Sequence, residues 1–252
     1  MHAILPLAIG LVALLYASVG HAGATGYIAV MTLLGMPSAV VRPTALLLNV
    51  IVAMIASVQF IRAGHFRPQL FWPLAVASVP CAFVGGTLTL PTAAFEAVLG
   101  GVLLVSAARM LFDARQPAAD DATTQPLSCR RSPVVWAAIG GAIGLLSGLT
   151  GVGGGVFLTP ALLSLGAAPV KNIAALTAPF ILVNSLAGLG GGLLAGRPFP
   201  AAGLPVIAAA VLGGAIGSYF GAFCLPARTL RLLMAAVLTF ASVKLLGRPL
   251  GL

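Results

Sequence analysis

The chain has 252 residues, of which 60% are hydrophobic and only 7% charged, and its mean hydropathy is +1.12. A soluble domain carries roughly 25% charged residues because its surface faces water, so a water-soluble globule is excluded and the outer surface must face lipid. The formal net charge of +9 is no nucleic-acid footprint either, since Lys and Arg sit at the ends of apolar segments, where snorkelling and the positive-inside rule place them.

From the N-terminus onward, apolar runs recur at Ile4–Val19, Ala45–Ile61, Leu70–Leu90 and Arg228–Leu246. Their lengths match the roughly 17–25 residues that cross a hydrocarbon core. They lack the alternation a β-barrel requires, and helices are the remaining way to satisfy a backbone in lipid. The expected fold is an all-α polytopic membrane protein. Met1–Val19 has the apolar core of a secretory signal but no Lys or Arg before it. A similar pattern recurs mid-chain, so it reads as a mature membrane segment.

That recurrence is an internal repeat. Gly20-His-Ala-Gly-Ala-Thr-Gly-Tyr, leading to Leu34-Gly35-Met-Pro37, has a counterpart in Gly151-Val-Gly-Gly-Gly-Val-Phe-Leu, leading to Leu165-Gly166-Ala-Ala-Pro169. A basic residue and a Thr follow each copy, Arg42 and Thr44 in one, Lys171 and Thr177 in the other. An Asn inside an apolar run comes next, Asn49 and Asn184, aligned with small insertions. Further on, Val84-Gly85-Gly86 matches Gly213–Gly217, Leu90-Pro91 matches Leu225-Pro226, and Arg109 matches Lys244. The chain therefore divides into a first transmembrane repeat (1–112), a hydrophilic linker (113–132) and a second repeat (133–252).

Each repeat reads as one long interrupted segment followed by three spans. In the first these are Ala3–Met36, Pro43–Ile61, Pro68–Leu90 and Thr92–Phe112; in the second, Pro133–Leu165, Asn172–Ala195, Ala201–Leu225 and Ala227–Leu246. The interrupted segments would extend about 50 Å as single helices, against roughly 30 Å of hydrocarbon, so each is expected to break at its glycines. Charge counting leaves open whether the broken segments cross or double back, and hence the sidedness of the termini. Doubling back gives an inverted repeat, the commoner arrangement in transporters with broken helices, and is the reading adopted. Both topologies place the linker, around Arg130, in the cytoplasm.

The glycines divide into two kinds. Gly140, Gly144 and Gly148 have the spacing of close helix packing. Gly151, Gly153, Gly154 and Gly155 are too dense for that, because each weakens a helix by about 1 kcal/mol relative to alanine. Unwound backbone survives in a membrane where it lines a cavity or is buried in protein. Its free N–H groups, with the dipole of the following half-helix, form an anion site. The expected substrate-binding set is Gly20, His21, Gly23, Thr25 and Asn49 from the first repeat, with Thr150, Gly151, Gly153, Gly154, Gly155, Thr177 and Asn184 from the second. Ser18 and Ser147 lie beside them. Arg42 and Lys171 fit electrostatic attraction of an anion as well as snorkelling. His21 reads equally as a hydrogen-bonded structural histidine or as a ligand or proton carrier. Glu96 and Arg231 align and could pair across the repeats.

No catalytic constellation and no Walker-type phosphate loop are present, so the chain is expected to be neither an enzyme nor an ATP-driven pump. Cys81, Cys129 and Cys224 have no metal-ligand spacing and are odd in number; no metal and no cofactor are expected. The partners implied are a small anion, the lipid bilayer and a coupling ion, proton or sodium, with no nucleic acid.

The run Gly151-Val-Gly-Gly-Gly-Val-Phe-Leu-Thr-Pro160, followed by Leu165-Gly166, Pro169, a Thr and an Asn, resembles the TauE/SafE family of sulfite-exporter and sulfonate-uptake permeases. The resemblance covers nearly the whole chain. It implies an inner-membrane secondary carrier for sulfite, thiosulfate, sulfoacetate or another organosulfonate, with an anion channel or a carrier of other small organic anions as alternatives. The first copy departs from the pattern: Ala22 and Ala24 replace glycines, and Ala29 stands where the second copy has Pro160.

Overall fold

Proline and glycine set where each helix starts and stops. The computed structural model describes residues 4–88, 132–200 and 202–226, with isolated positions beyond. The span Thr92–Phe112, the linker short of Ser132, most of Ala227–Leu246, and Leu90, Pro91, Glu96, Arg109, Cys129, Arg130, Arg231 and Lys244 lie outside the described residues. Eight α-helices and no strand occur among the described residues. In chain order they are α1 (Ile4–Ser18), α2 (Ala24–Leu33), α3 (Ser38–Arg62), α4 (Pro68–Thr87), α5 (Pro133–Thr150), α6 (Gly155–Ser164), α7 (Val170–Leu194) and α8 (Leu204–Tyr219). A five-residue π-helical turn, Phe220–Cys224, continues α8.

Five of these segments are long and apolar enough to cross a membrane: Val40–Arg62, Pro68–Thr87, Pro133–Thr150, Val170–Leu194 and Leu204–Cys224. Prolines open α4, α5 and α8, where a missing N–H costs nothing. The Ser132 hydroxyl caps α5 by accepting from the Val134 amide at 3.3 Å. α2 and α6 end alike. The Met36 amide donates to Met31 and the Ala167 amide to Leu162, each in a Schellman closure, and Pro37 or Pro169 then opens the next helix. α3 therefore starts at Ser38 rather than at Pro43. Pro43 lies inside the helix and leaves only the Ala39 carbonyl without its helical donor.

Lipid is as apolar as the side chains, so helix association here rests on close packing rather than on water exclusion. Along α5, Gly140, Gly144 and Gly148 press against the carbonyls of Leu74, Ser78 and Ala82 on α4, where a Cβ would collide with backbone. Gly213, Gly217 and Gly221 do the same to the carbonyls of Gly10, Leu14 and Ser18 on α1. Between these two tight pairs, α3 and α7 run antiparallel. The start of α3 (Arg42, Leu46) faces the end of α7 (Gly188, Gly192), and Asn172, near the start of α7, donates to the His65 carbonyl just past the end of α3.

Buried Leu158, Leu162, Ile173, Leu176 and Phe180 fill a core around α6 and α7. Ile9, Ala13, Tyr27, Met31, Leu48 and Val52 fill another around α1–α3. Outward, Leu7, Leu11, Trp72, Val76, Val134, Leu204 and Leu212 are exposed. An apolar outside over helices of spanning length marks an integral membrane protein.

Candidate functional site

Helix α5 stops at Thr150 because the next residues adopt conformations a helix cannot hold. Gly151, Gly153 and Gly154 have φ of 73°, 83° and 81°, in the left-handed region that side-chain-bearing residues avoid. Gly20 and Gly23, with φ of 76° and 101°, stand between α1 and α2. Two short connections result, residues 19–23 and 151–154, each leading into a ten-residue helix.

The connections leave backbone donors free. In 151–154, the Gly151 amide donates to the Ser147 carbonyl at 2.9 Å and the Val152 amide to the Thr150 hydroxyl at 3.1 Å. The amides of Gly153, Gly154 and Gly155 have no acceptor among the described residues. In 19–23, the amides of Val19, Gly20 and His21 bond back to α1, whereas those of Ala22 and Gly23 find no acceptor among the described residues.

Asn49, from the middle of α3, reaches the second connection. Its Nδ2 donates to the Val152 carbonyl at 3.2 Å and lies 3.4 Å from the Ser185 hydroxyl. Asn49 is 1% exposed, and its Oδ1 has no partner among the described residues. A Cβ on Gly153 would lie 2.5 Å from Asn49 Nδ2, 2.9 Å from Ile181 and 2.9 Å from Ser185 Oγ. Gly153 is thus required twice over, by its φ and by the space it leaves. Thr177 and Ile181 also line the bare side of Gly155. Thr177, Ile181 and Ser185, four residues apart, form one face of α7.

Each connection also carries an unpartnered buried hydroxyl beside its last glycine. Tyr27 packs its ring and OH against Gly23, and Ser147 packs against Gly154. Both hydroxyls are buried, with no hydrogen-bond partner among the described residues. Thr25 and Thr150 are partnered instead: Thr25 donates to the Tyr16 hydroxyl at 2.9 Å, and Thr150 to the Ser147 carbonyl at 3.2 Å. His21 joins the two halves, since its Nε2 lies 3.3 Å from the Thr159 hydroxyl of α6, which is 3.1 Å from the Thr177 hydroxyl of α7.

Asn184 is fully buried but occupied elsewhere. Its Oδ1 accepts from Ser78 at 2.6 Å, and its Nδ2 donates to the Phe180 carbonyl at 2.8 Å. Counted from the first residues of these equally long helices, Asn49 is twelfth in α3 and Asn184 fifteenth in α7. The residue of α7 that shares Asn49's position is Ile181, and the two meet at Gly153.

The two cations expected to attract an anion lie at opposite ends of the central helix pair. Arg42 packs under Gly151 and lines a small pocket with Arg197, Pro43, Gly188 and Gly192. Lys171 lies beside His65, whose imidazole is held below its ordinary range by partial burial and then by the charges of Lys171 and Arg67. Of the residues around the connections, Thr159, Ser185 and Tyr27 were not singled out by sequence reasoning. Their signal was helical spacing: Tyr27 stands one turn past Gly23, Thr159 one turn past Gly155, and Ser185 is on the Thr177 face.

The model of the sulfite exporter TauE/SafE family matches residues 5–245. A protein of Sinorhizobium fredii (strain NBRC 101917 / NGR234), described as probable membrane transporter protein y4hK, is 36% identical over 244 residues, covering 96% of this chain and 97% of that one. No solved structure matches. With a family match over nearly the full length and a full-length relative at that identity, the chain belongs to the TauE/SafE family of membrane transporters.

Proposed function

We propose that the protein is a secondary carrier of the inner membrane that moves a small sulfur-containing anion, and that the anion is held at the two glycine breaks, 19–23 and 151–154. One observation carries the reading: among the described residues, each break pairs acceptor-free amides with a buried hydroxyl that has no partner, Tyr27 at Gly23 and Ser147 at Gly154. Unsatisfied buried donors are costly, and an oxyanion supplies the acceptors they lack. The N-terminal dipoles of α2 and α6 add partial positive charge at the same places. Sulfite, thiosulfate and sulfonates present several oxygens around one sulfur, which suits donors arriving from two sides.

The two repeats are read as inverted. Antiparallel α3 and α7, equal in length and each following a proline, support this, as do the reciprocal packings of α5 on α4 and of α1 on α8. In this frame Asn49, Thr177 and Ser185 stand beside the second break, Thr25 beside the first, and Asn184 braces α7 from behind. Arg42 and Lys171 attract anions at opposite mouths.

The test is uptake by proteoliposomes of sulfite, thiosulfate, sulfoacetate, carboxylates and sulfate, with thermal stabilisation of purified protein by the same panel. A ligand that binds only the folded state raises apparent stability by mass action. Saturable uptake and stabilisation confined to the sulfur oxyanions support the proposal; carboxylates acting alone would redirect it to another anion. Uptake that never saturates would point to a channel.

A further inference from the structure

The ring of His21 ends a chain of four contacts that runs from the first break into α7. Nδ1 lies 3.2 Å from the Val19 carbonyl, and Nε2 lies 3.3 Å from the Thr159 hydroxyl. Thr159 Oγ1 is 3.1 Å from Thr177 Oγ1, which is 2.8 Å from the Ile173 carbonyl. All three side chains are buried, with His21 2% exposed and both threonines 0%. Each contact needs one hydrogen. A neutral imidazole and two hydroxyls hold three between them.

Neither neutral tautomer completes the chain. With the hydrogen on Nδ1, two hydroxyl hydrogens must serve the three contacts from Nε2 to the Ile173 carbonyl. With it on Nε2, the bare Nδ1 lone pair faces the Val19 carbonyl. The imidazolium supplies the fourth hydrogen: Nδ1 donates to Val19, Nε2 to Thr159, Thr159 to Thr177, and Thr177 to Ile173. Every contact is then made once. The Gly155 carbonyl also lies against the ring, adding an acceptor and no hydrogen.

A buried imidazolium needs a counter-charge. The four acidic residues of the chain are at positions 96, 113, 120 and 121, and none is among the described residues. The ionisable groups on elements packed against the first break are Tyr16 on α1, Tyr27 on α2, Arg42 and Arg62 on α3, Lys171 on α7, and Tyr219 and Cys224 at the end of α8. α6 carries none. Among the described residues no carboxylate balances the charge.

From this count we infer that His21 is the proton site of coupled transport: it binds one proton when the anion binds, and proton and anion cross in the same direction. The inference rests on the carrier reading above. The anion supplies the negative charge that the described elements around the first break lack, and the proton supplies the hydrogen missing from the chain to Thr177. Each favours the other, as linkage requires. The chain touches the first break, the half-helix after the second break and the central helix α7, so loading is felt in both halves.

Proteoliposomes holding a pH-sensitive dye test this with thiosulfate, whose own charge does not change near neutral pH. An imposed inward proton gradient is expected to speed wild-type uptake several-fold, and a thiosulfate gradient to carry protons inward. In His21→Gln, uptake is expected to be the same with and without the proton gradient. A response equal to wild type would overturn the inference. If His21→Gln carries nothing, Thr159→Val decides. It keeps the ring but removes the Nε2 acceptor, so half-maximal uptake is expected to need a more acidic medium. An unchanged pH profile would overturn the inference. Wild-type uptake indifferent to the proton gradient would sink it while leaving the carrier reading intact. Wild-type protein that carries none of the panel anions would remove the carrier reading and this inference with it.

Discussion

Asn49 and Val152 are joined across 103 positions of sequence, the side-chain amide of the first donating to the carbonyl of the second at 3.2 Å. This bond fixes the second glycine break against the middle of α3, and it leaves Asn49 Oδ1 buried with no partner among the described residues. Asn49→Ala is expected to weaken anion binding by about 1–3 kcal/mol, the scale of leaving a buried acceptor, here the Val152 carbonyl, without its donor, so that the break loses its fixed geometry. Titration of the thermal shift with the transported anion measures it. Asn184→Ala should act differently, because it strands the Ser78 hydroxyl. Its melting temperature should fall with or without ligand, with a smaller change in affinity.

At the break itself, Gly153→Ala combines a left-handed φ of 83° with a Cβ placed 2.5 Å from Asn49 Nδ2. The backbone cost alone is roughly 1–2 kcal/mol. Transport should be lost while membrane insertion persists. Gly154→Leu should behave alike, since a Cβ there already lies 3.1 Å from Phe180. Normal transport by well-expressed protein of either kind would show that the break does not contact substrate.

Neighbouring glycines on α5 make a control for packing. A Cβ on Gly140 would strike the Leu74 carbonyl, whereas on Gly141 its nearest neighbour is Cys81 Sγ at 3.4 Å, an ordinary contact. Gly140→Ala should therefore lower the melting temperature in detergent clearly, by about 1–3 kcal/mol of overpacking. Gly141→Ala should leave it unchanged or raise it slightly, as alanine favours the helix. Equal effects of the two would contradict the α4–α5 packing.

Arg42 and Lys171 lie at opposite ends of the antiparallel α3 and α7. Neutralising each should slow anion entry from one side only, and should weaken the salt dependence of that side. Vesicles of known orientation separate the two: Arg42→Gln should slow one direction and Lys171→Gln the other. A matched loss in both directions for either variant would place its effect inside the site instead.

Much of this was legible in the sequence. Helix class follows from apolar run length, because hydrocarbon thickness fixes how long a helix must be, whereas the start of α3 at Ser38 rather than Pro43 did not follow. Gly140, Gly144 and Gly148 could be assigned to helix contact from spacing alone, since every fourth residue shares a face. What Asn49 and Asn184 each bond to was not legible: Asn49 meets Val152 and Asn184 meets Ser78, each more than a hundred positions away.

What the sequence by itself determined is the medium, the helices and the presence of glycine-dense stretches, all properties of local composition and period. Tertiary structure alone decided which partners those stretches meet. Asn49 lies 103 positions from Val152, and His21 lies 138 from Thr159; no local rule sets such contacts, which come from how glycine faces let α1, α4, α5 and α8 close around α3 and α7. Whether a buried Asn, Ser or Tyr keeps a free polar atom is likewise a matter of what packs against it. Asn184 found Ser78 and is satisfied, whereas Asn49 Oδ1 has no partner among the described residues.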